Sequence, residues 1–443
     1  MEFDRVVQQD RDYSCPKLPR RRILFIAEAV TLAHVARPVV LARSLDASQW
    51  EVRLATDLRF ERIIGPLPFP VDRIWTIAPE RFRTALQRGS PIYDAPAIDR
   101  YVAEDLRLIE SFRPDVVVGD FRISLAISAR KWEVPYVNIT NAYWSPHADI
   151  RHVVPEITLA GILPLGLAQA LFDVFRRPGY ALHALPVNKI RRKYGFKPLP
   201  LDFRWAIVDG DVTLYSDIPE MIPMNVLPPM HRFVGPISWS PAIELPDWWR
   251  EIEAVAAVER VVYVNLGSSG IEGILARVLE ALEPLPVMVI AATAGRKEKL
   301  PSTGNSRVAE YLPGEECARL ASVVVCNGGS PSVYQALAQG RPVVGLAANT
   351  DQFLNMAAVD HARCGILLRA YSADQSTIRE AVSRAMSDER LADPARAARD
   401  SIARYDPVRA FPMALEELVP SARLRALERD ASAQWRNKVR RED

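Results

Sequence analysis

The chain of 443 residues is long enough for two or three domains, and its 49% hydrophobic content can fill their cores. Its 56 basic and 54 acidic side chains leave a net charge of +2, so charge does not indicate nucleic-acid binding. Four cysteines without CxxC spacing and six scattered histidines argue against a disulfide scaffold and a metal site. The N-terminus is too polar for a signal peptide, so we expect a cytoplasmic protein.

Short apolar strands alternate with amphipathic helices in the first half of the chain. A strand over 21–30 leads into a helix over 32–45, in which apolar residues recur at helical spacing. Further strands are predicted at 50–57, 111–121 and 134–140, with a helix between the last two. This alternation is typical of a parallel sheet that is covered by helices on both faces.

The same alternation begins again at 260–270 in the second half. Strands are predicted there at 286–295, 306–313, 321–329 and 341–347. The chain therefore predicts a second parallel α/β domain of similar size to the first.

A stretch rich in proline and tryptophan, GPISWSPAIELPDWW (235–249), separates the halves and shows neither strand nor helix period. We interpret it as a linker between two α/β domains. The predicted organisation is an N-terminal extension (1–20), an N-terminal acceptor-binding domain (21–236), a linker (237–258), a C-terminal donor-binding domain (259–405), and a helical segment with a charged tail (406–443).

The most apolar window, ITLAGILPLGLAQALFDVF (157–175), interrupts the strands of the first half. It approaches the length of a membrane span, but Pro164, two glycines and Asp173 disfavour one. Three roles stay open for it: packing on the core, walling an acceptor pocket, or contacting a membrane surface.

Ligands of open parallel sheets bind at the carboxyl ends of the strands, so the residues after each strand are candidates for a site. Small residues follow two strands of the second half, at 266–270 and at 327–332, and the second loop opens a helix. Exposed N–H groups and the helix dipole make such a loop an anion site that fits a diphosphate. Glycines are also needed in strand-to-helix turns for steric reasons alone.

After the next strand, the segment 349–355 collects acidic and amide side chains. Such a cluster suits sugar hydroxyls better than phosphate. Capping of the following helix by Asp351 is the alternative interpretation.

Read together, residues 310–368 resemble the donor-binding signature of nucleotide-sugar glycosyltransferases with the GT-B fold. The likeness is closest to glycosyltransferase family 1, with its bacterial natural-product, rhamnolipid-type and UDP-sugar enzymes. It implies two Rossmann-like α/β domains facing across a cleft, and a nucleoside diphosphate sugar as co-substrate without a metal or other cofactor.

The same resemblance implies a role for each part of the donor site. An aromatic residue stacks on the nucleobase, a glycine- and serine-rich loop binds the diphosphate, and an Asp-Gln pair holds the sugar. The donor-binding residues implied in this way are Gly267, Ser268, Ser269, Tyr311, Asn327, Gly328, Gly329, Ser330, Ser332, Gln335, Asp351 and Gln352.

Three positions depart from the family pattern. Asn327 stands where a histidine is frequent, and its amide can donate a hydrogen bond but carries no charge. Gln335 replaces the acid that binds the ribose, so the charge-assisted strength of that bond is lost. Ala33 replaces the glycine that usually precedes the histidine of the first loop.

That first loop, Ala33-His34-Val35-Ala36-Arg37-Pro38, resembles the Gly-His-x-x-x-Pro opening of the same family, whose histidine is the catalytic base. Asp120, at the end of PDVVVGD, resembles the aspartate that partners it. An acceptor hydroxyl is a weak nucleophile until a base removes its proton, and histidine suits that task near neutral pH. A histidine at a helix start without any role is the alternative.

We therefore expect an inverting glycosyltransferase that moves a sugar from a UDP- or dTDP-sugar to a hydroxyl, with His34 as base. Tyr143 and Trp144 follow a strand and, with the window 157–175, favour a hydrophobic small-molecule or lipid acceptor. Two other functions stay open: a non-catalytic sugar-nucleotide-binding protein and a sugar-nucleotide epimerase. No nucleic-acid partner is expected, and peripheral contact with the inner membrane face is one of the open alternatives.

Overall fold

The computed structural model describes residues 20–156, 161–267 and 271–419. The strands are β1 (Arg21–Ala27), β2 (Trp50–Thr56), β3 (Val71–Arg73), β4 (Val116–Asp120), β5 (Tyr136–Thr140), β6 (Val212–Tyr215), β7 (His231–Phe233), β8 (Arg260–Asn265), β9 (Val287–Ala292), β10 (Ser306–Ala309), β11 (Val323–Cys326), β12 (Val343–Ala347) and β13 (Gly365–Arg369).

Helices connect most of these strands. They are α1 (Leu32–Arg43), α2 (Glu61–Ile64), α3 (Pro79–Arg88), α4 (Ala95–Phe112), α5 (Leu125–Lys131), α6 (Leu165–Lys193), α7 (Arg204–Ile207), α8 (Trp249–Val255), α9 (Ile274–Leu282), α10 (Gly314–Leu320), α11 (Ser330–Ala338), α12 (Thr350–His361), α13 (Gln375–Ser387), α14 (Glu389–Ile402) and α15 (Pro407–Leu418).

The strands form two parallel sheets. The first has the order β3-β2-β1-β4-β5-β6-β7 and the second the order β10-β9-β8-β11-β12-β13. In the first, Ala27 of β1 lies beside Asp120 of β4, so both strands end at the same edge. Strands β4 and β11 are buried along their whole length, as expected for valine-rich strands covered on both faces. The predicted pair of parallel α/β domains is confirmed.

The sequence pattern did not reveal β3, β6, β7 or β13. These strands have three to five residues, and β3, β7 and β13 lie at sheet edges. Runs this short do not establish a period of two, so only their pairing partners define them.

The predicted linker also contains structure that its composition did not suggest. Helix α8 begins at Trp249, and the side chains of Trp249 and Ile252 are buried in the core of the C-terminal domain beside Tyr263. The expectation that 235–249 lacks helical structure was therefore wrong at its last residue, because the tryptophan anchors the next helix.

The C-terminal helix α15 returns to the N-terminal domain. Phe411 and Leu415 are buried in the same core as Phe25 of β1, with the two phenyl rings 5.9 Å apart. Arg21 donates to the carbonyl oxygen of Val419 at 2.7 Å. Helix α15 thus completes the N-terminal core, and the domains are joined at two places along the sequence.

The apolar window 157–175 lies partly outside the described residues, since 157–160 are not among them. Its remaining part enters α6, where Ala168 is the one buried residue up to position 175. The alternative of core packing is therefore wrong for this described part. Among the described residues, no helix is long and apolar enough to cross a bilayer.

Candidate active site between the domains

The imidazole of His34 and the carboxylate of Asp120 meet at the carboxyl edge of the first sheet. His34 lies in the first turn of α1, and Asp120 is the last residue of β4. His34 Nδ1 is 2.7 Å from Asp120 Oδ1. Asp120 is fully buried, whereas the His34 side chain is 18% exposed and lines the cleft between the domains. The predicted pair is thus brought together, and its catalytic role stays a prediction.

Arg37 holds the other side of the Asp120 carboxylate. Its Nε donates to Oδ2 and its Nη2 to Oδ1, both at 2.7 Å. Burial lowers the pKa of Arg37, but the adjacent charge of Asp120 outweighs burial and raises it above its usual value. A carboxylate in such a fork accepts hydrogen bonds, so the bond with His34 requires the proton on Nδ1. Nε2 is then the basic nitrogen.

Sequence reasoning assigned no role to Arg37. It lies three residues after His34, and this spacing puts the two side chains on one helix face. Arg37 Nη2 is also 3.1 Å from His34 Nδ1. Since both atoms carry hydrogen in this arrangement, the contact is close packing and not a hydrogen bond.

Asn141 connects this group to the other domain. It follows β5 directly, and its Oδ1 accepts from Arg37 Nη1 at 2.8 Å. Its Nδ2 donates to Ser330 Oγ at 2.9 Å and to the Asp217 carboxylate at 3.1 Å. No sequence pattern marked Asn141 or Asp217, although both stand just after strands. Burial raises the pKa of Asp217 to about 6, against its hydrogen bonds from Ala142 and Asn141.

Phe121 fixes the plane of the candidate base. Its ring stacks on His34 with the centroids 4.7 Å apart and the planes 10° from parallel. The backbone of Phe121 has a φ of 55°, which is rare for a bulky residue. Such strain costs about 1–3 kcal/mol and persists where the surroundings hold it. No sequence pattern marked this residue, because the strain arises from the tertiary position.

The loop before α11 forms the opposite wall of the cleft. Gly328 has a φ of 80°, and a Cβ atom there would lie 2.5 Å from Met356 Cγ, so glycine is required. The N-cap residue Gly329 has no side chain to cap the helix. Ser330 and Ser332 line the cleft beside it. An uncapped helix N-terminus with two hydroxyls is a suitable site for a diphosphate.

Helix α12 differs, because its N-terminus is already capped. Asn349 Oδ1 accepts from the Gln352 backbone N–H at 3.2 Å. Gln352 Oε1 accepts from the N–H of Asn349 at 3.4 Å, which completes a capping box, and also from the N–H of Ala348 at 2.8 Å. Asn349, and not Asp351, is the cap, so that alternative for Asp351 was wrong. The N-terminus of α11 therefore differs from that of α12 in having no side-chain cap.

Asp351 instead faces the N-terminal domain. Its Oδ1 accepts from Trp144 Nε1 at 2.7 Å and from the Tyr143 hydroxyl at 3.1 Å. Burial and the Asp351 charge raise the pKa of Tyr143 well above its usual value, so the hydroxyl stays protonated and donates. The two residues predicted to bind the acceptor therefore also hold the carboxylate predicted to bind the donor sugar.

Three other predicted donor residues line the same cleft. Tyr311 lies beside Gly295, where a Cβ atom would come within 2.5 Å of the phenol oxygen. Asn327 Oδ1 accepts from the Gly329 N–H at 3.0 Å. Gln335 Nε2 donates to the carbonyl oxygen of Trp239 in the linker at 2.9 Å.

The first small-residue loop is described only up to Gly267. Ser268 and Ser269 lie outside the described residues. Gly267 has a φ of 60°, and a side chain there would be crowded, because its Cβ atom would lie 3.0 Å from Asn327 Nδ2. Asn265, which sequence reasoning missed, donates to Ser332 Oγ at 3.3 Å and lines the cleft.

Comparison with known proteins identifies the family. Residues 276–415 match a family model described as Erythromycin biosynthesis protein CIII-like, C-terminal domain. The chain is 44% identical over 381 residues to a PGL/p-HBAD biosynthesis glycosyltransferase of Mycobacterium tuberculosis (strain ATCC 25177 / H37Ra), covering 86% of this chain and 88% of that relative. The chain belongs to this glycosyltransferase family.

One further relative agrees with this assignment, and a solved structure shares the fold. A PGL/p-HBAD biosynthesis rhamnosyltransferase of Mycobacterium bovis (strain BCG / Pasteur 1173P2) is 46% identical over 368 residues, covering 83% of this chain and 81% of that one. The solved structure of the spinosyn rhamnosyltransferase SpnG complexed with thymidine diphosphate aligns with a TM-score of 0.62 at 20% identity. That alignment covers 89% of this chain and 99% of the other, and it shows the fold alone.

The protein is thus a glycosyltransferase with the GT-B fold, as the resemblance of residues 310–368 implied. The names of the matched family model and of the two mycobacterial relatives refer to erythromycin and PGL/p-HBAD biosynthesis. The roles of individual residues, the absence of a metal and the cytoplasmic location stay predictions.

Proposed function

We propose that this glycosyltransferase moves a sugar from a UDP- or dTDP-sugar to a hydroxyl group, with inversion at the anomeric carbon and His34 as base. One observation carries the proposal. The imidazole, oriented by Asp120, and the uncapped N-terminus of α11 line one cleft from opposite domains. A base and an anion site on opposite walls are what a single displacement requires.

The proposed reaction follows from this placement. The diphosphate lies at Gly329, Ser330 and Ser332, where backbone N–H groups and the dipole of α11 stabilise the charge of the leaving group. His34 Nε2 takes the proton of the acceptor hydroxyl as its oxygen attacks the anomeric carbon from the far side. The bond from that carbon to the diphosphate oxygen breaks in the same step, so one displacement gives inversion.

Asp351 would contact the donor sugar with one oxygen. Its Oδ1 already accepts from Tyr143 and Trp144, which leaves Oδ2 for a sugar hydroxyl. The carboxylate is therefore held in one orientation by the acceptor domain before the sugar binds. Such preorganisation lowers the cost of ordering the site on binding.

Two of the compared proteins suggest which donor to test first. One relative is named a rhamnosyltransferase, and the SpnG structure holds thymidine diphosphate. We propose dTDP-rhamnose as the first donor, with UDP-glucose as the comparison.

The lining of the cleft favours an apolar acceptor. On the side of His34 it is formed by Phe82, Leu86, Ile92 and Phe121, with Trp144 beyond them. An apolar wall with one basic nitrogen suits a hydroxyl carried on a hydrophobic small molecule or lipid.

The test is transfer of radiolabelled sugar from each donor to a panel of apolar phenols and alcohols. We expect a glycoside of inverted anomeric configuration by NMR, and His34→Ala should lower kcat by about 10²–10⁴-fold. Binding of dTDP by calorimetry should be unchanged in His34→Ala, because the residue lies on the acceptor wall. An unchanged kcat in His34→Ala would show that His34 is not the base. A product with retained anomeric configuration would rule out the single displacement. Release of free epimerised donor would favour the epimerase alternative.

A further inference from the structure

Helix α6 exposes an unusual amount of apolar surface. Among the described residues, eighteen large apolar side chains are exposed, and seven of them lie between Ile162 and Leu185. Scattered exposed apolar residues need no explanation, but a concentration in one short segment indicates a contact surface. The described residues of this segment are not among those that line the cleft with His34.

The exposed residues share one face of the helix. Leu167, Val174, Pro178, Leu182 and Leu185 follow each other at intervals of seven, four, four and three. This spacing keeps side chains on one side of an α-helix, over about 27 Å at 1.5 Å per residue. Phe175 adds to its edge. We call these residues the apolar stripe: Leu167, Val174, Phe175, Pro178, Leu182 and Leu185.

The opposite face of α6 is the one that packs on the protein. Ala184, Val187 and Ile190 are buried there, and His183 lies 3.3 Å from the carbonyl oxygen of Gly89, at the end of α3. Loose packing of the helix is therefore not the reason why the stripe is exposed. Within the stripe, Val174 is 67% exposed and Phe175 61%.

Basic side chains accompany the stripe. Helix α6 carries Arg176, Arg177, Lys189, Arg191, Arg192 and Lys193, with Asp173 as its one acidic residue. The helix thus has a net charge of about +5, whereas the whole chain has +2. Arg177, Lys189 and Arg192 are exposed and form no ion pair with any described residue.

We propose that the apolar stripe docks this protein on an anionic lipid surface. An amphipathic helix with an apolar face and basic flanks lies in the plane of a bilayer interface, with its basic groups at the lipid phosphates. A second copy of the chain fits less well, because it would bring another set of like charges to the contact. The same helix rests on the end of α3, whose Phe82 and Leu86 line the acceptor side of the cleft.

The experiment is vesicle flotation of the full chain with phosphatidylcholine alone and with added phosphatidylglycerol. We expect the wild type to float with phosphatidylglycerol vesicles and to be released by high salt. Val174→Glu with Phe175→Glu should lower the bound fraction at least about tenfold, since each removes an apolar contact with lipid. Val258→Glu is the matched control, because Val258 is an 83% exposed valine in the other domain.

The charge requirement has its own variant. Lys189→Glu should weaken binding to phosphatidylglycerol vesicles and reduce its salt dependence. Equal binding to both vesicle types, or no effect of Lys189→Glu, would overturn the assignment of an anionic surface.

Other results would overturn the proposal as a whole. These are failure of the wild type to float, an equal loss in Val258→Glu, or a wild-type dimer that Val174→Glu converts to monomer in sedimentation. Thermal unfolding of each variant checks folding, and we expect no change because all these side chains are exposed. Flotation measures no sugar transfer, so its outcome is independent of the proposed reaction.

Discussion

A buried carboxylate at the end of β1 makes stability depend on pH. Glu28 follows β1 directly, and its backbone N–H donates to the carbonyl oxygen of Asp120 at 3.2 Å. Both carboxylate oxygens of Glu28 are buried without a hydrogen bond to any described residue, and Arg122 Nη1 is 3.7 Å away. Burial raises the pKa of Glu28 to about 7, although the positive charge of Arg122 and the hydroxyl of Tyr101 act to lower it.

The magnitude follows from this shift. The pKa rises from 4.5 to about 7, and at 1.36 kcal/mol per unit this is a penalty of about 3 kcal/mol. Because the folded pKa lies above the unfolded one, the folded state binds more protons between these values, and stability falls as pH rises through them. The penalty is fully present above pH 7 and absent well below pH 4.5.

Glu28→Gln should therefore stabilise the protein at high pH. At pH 8 we expect a gain of about 3 kcal/mol, and at pH 5 less than about 1 kcal/mol, by the same linkage. A change of 1 kcal/mol shifts the melting temperature of a domain this size by about 2–4 °C, so the gain at pH 8 is roughly 6–12 °C. Thermal unfolding followed by circular dichroism at the two pH values measures it.

The matched control is Glu104→Gln. Glu104 lies at the same 3.7 Å from Arg122, but its side chain is 21% exposed, so removing its charge relieves little desolvation. We expect no stabilisation at pH 8 from this variant. An equal gain for Glu28→Gln at pH 5 and pH 8, or a loss at pH 8, would refute the reasoning.

Three further predictions concern the cleft. Trp144→Phe keeps an aromatic ring but removes the 2.7 Å hydrogen bond to Asp351. The kcat/KM for the donor, measured by steady-state kinetics, should fall about tenfold, the value of a hydrogen bond to a charged group. An unchanged kcat/KM would contradict this prediction. Asn141→Ala cuts the contact with Ser330 across the domains and should lower kcat more than dTDP affinity, compared by kinetics and calorimetry. Tyr311→Ala should weaken dTDP binding by about 1–3 kcal/mol if the ring stacks on the base, whereas Tyr311→Phe should not.

The network around Asn141 suggests how the two substrates are coordinated. The contacts run from His34 through Asp120 and Arg37 to Asn141, and from there to Ser330 at the mouth of α11. A diphosphate at the N-terminus of α11 would contact Ser330, the last residue in this series of contacts. The same contacts would then orient the base when the donor is bound, because both walls share Asn141.

Much of the fold could be predicted from the sequence. Buried valine-rich strands such as β4 and β11 carry a strong local signal, because parallel strands covered on both faces are apolar throughout. The glycines before α11 and the histidine at the start of α1 likewise stand at strand ends, where parallel sheets bind ligands. The family could be predicted because residues 310–368 and the loop around His34 resemble motifs of nucleotide-sugar glycosyltransferases.

Other parts of the site depended on contacts that no local pattern contains. Arg37 and Asn141 gained their roles because β1, β4 and β5 lie side by side, which sets residues distant in sequence at one edge. Asp351 met Trp144 only through the closure of the two domains. Local patterns were thus sufficient for the long buried strands, the glycine loop and the histidine. The side chains that hold these groups could not be predicted, because hydrogen bonds between residues distant in sequence form only once the chain has folded.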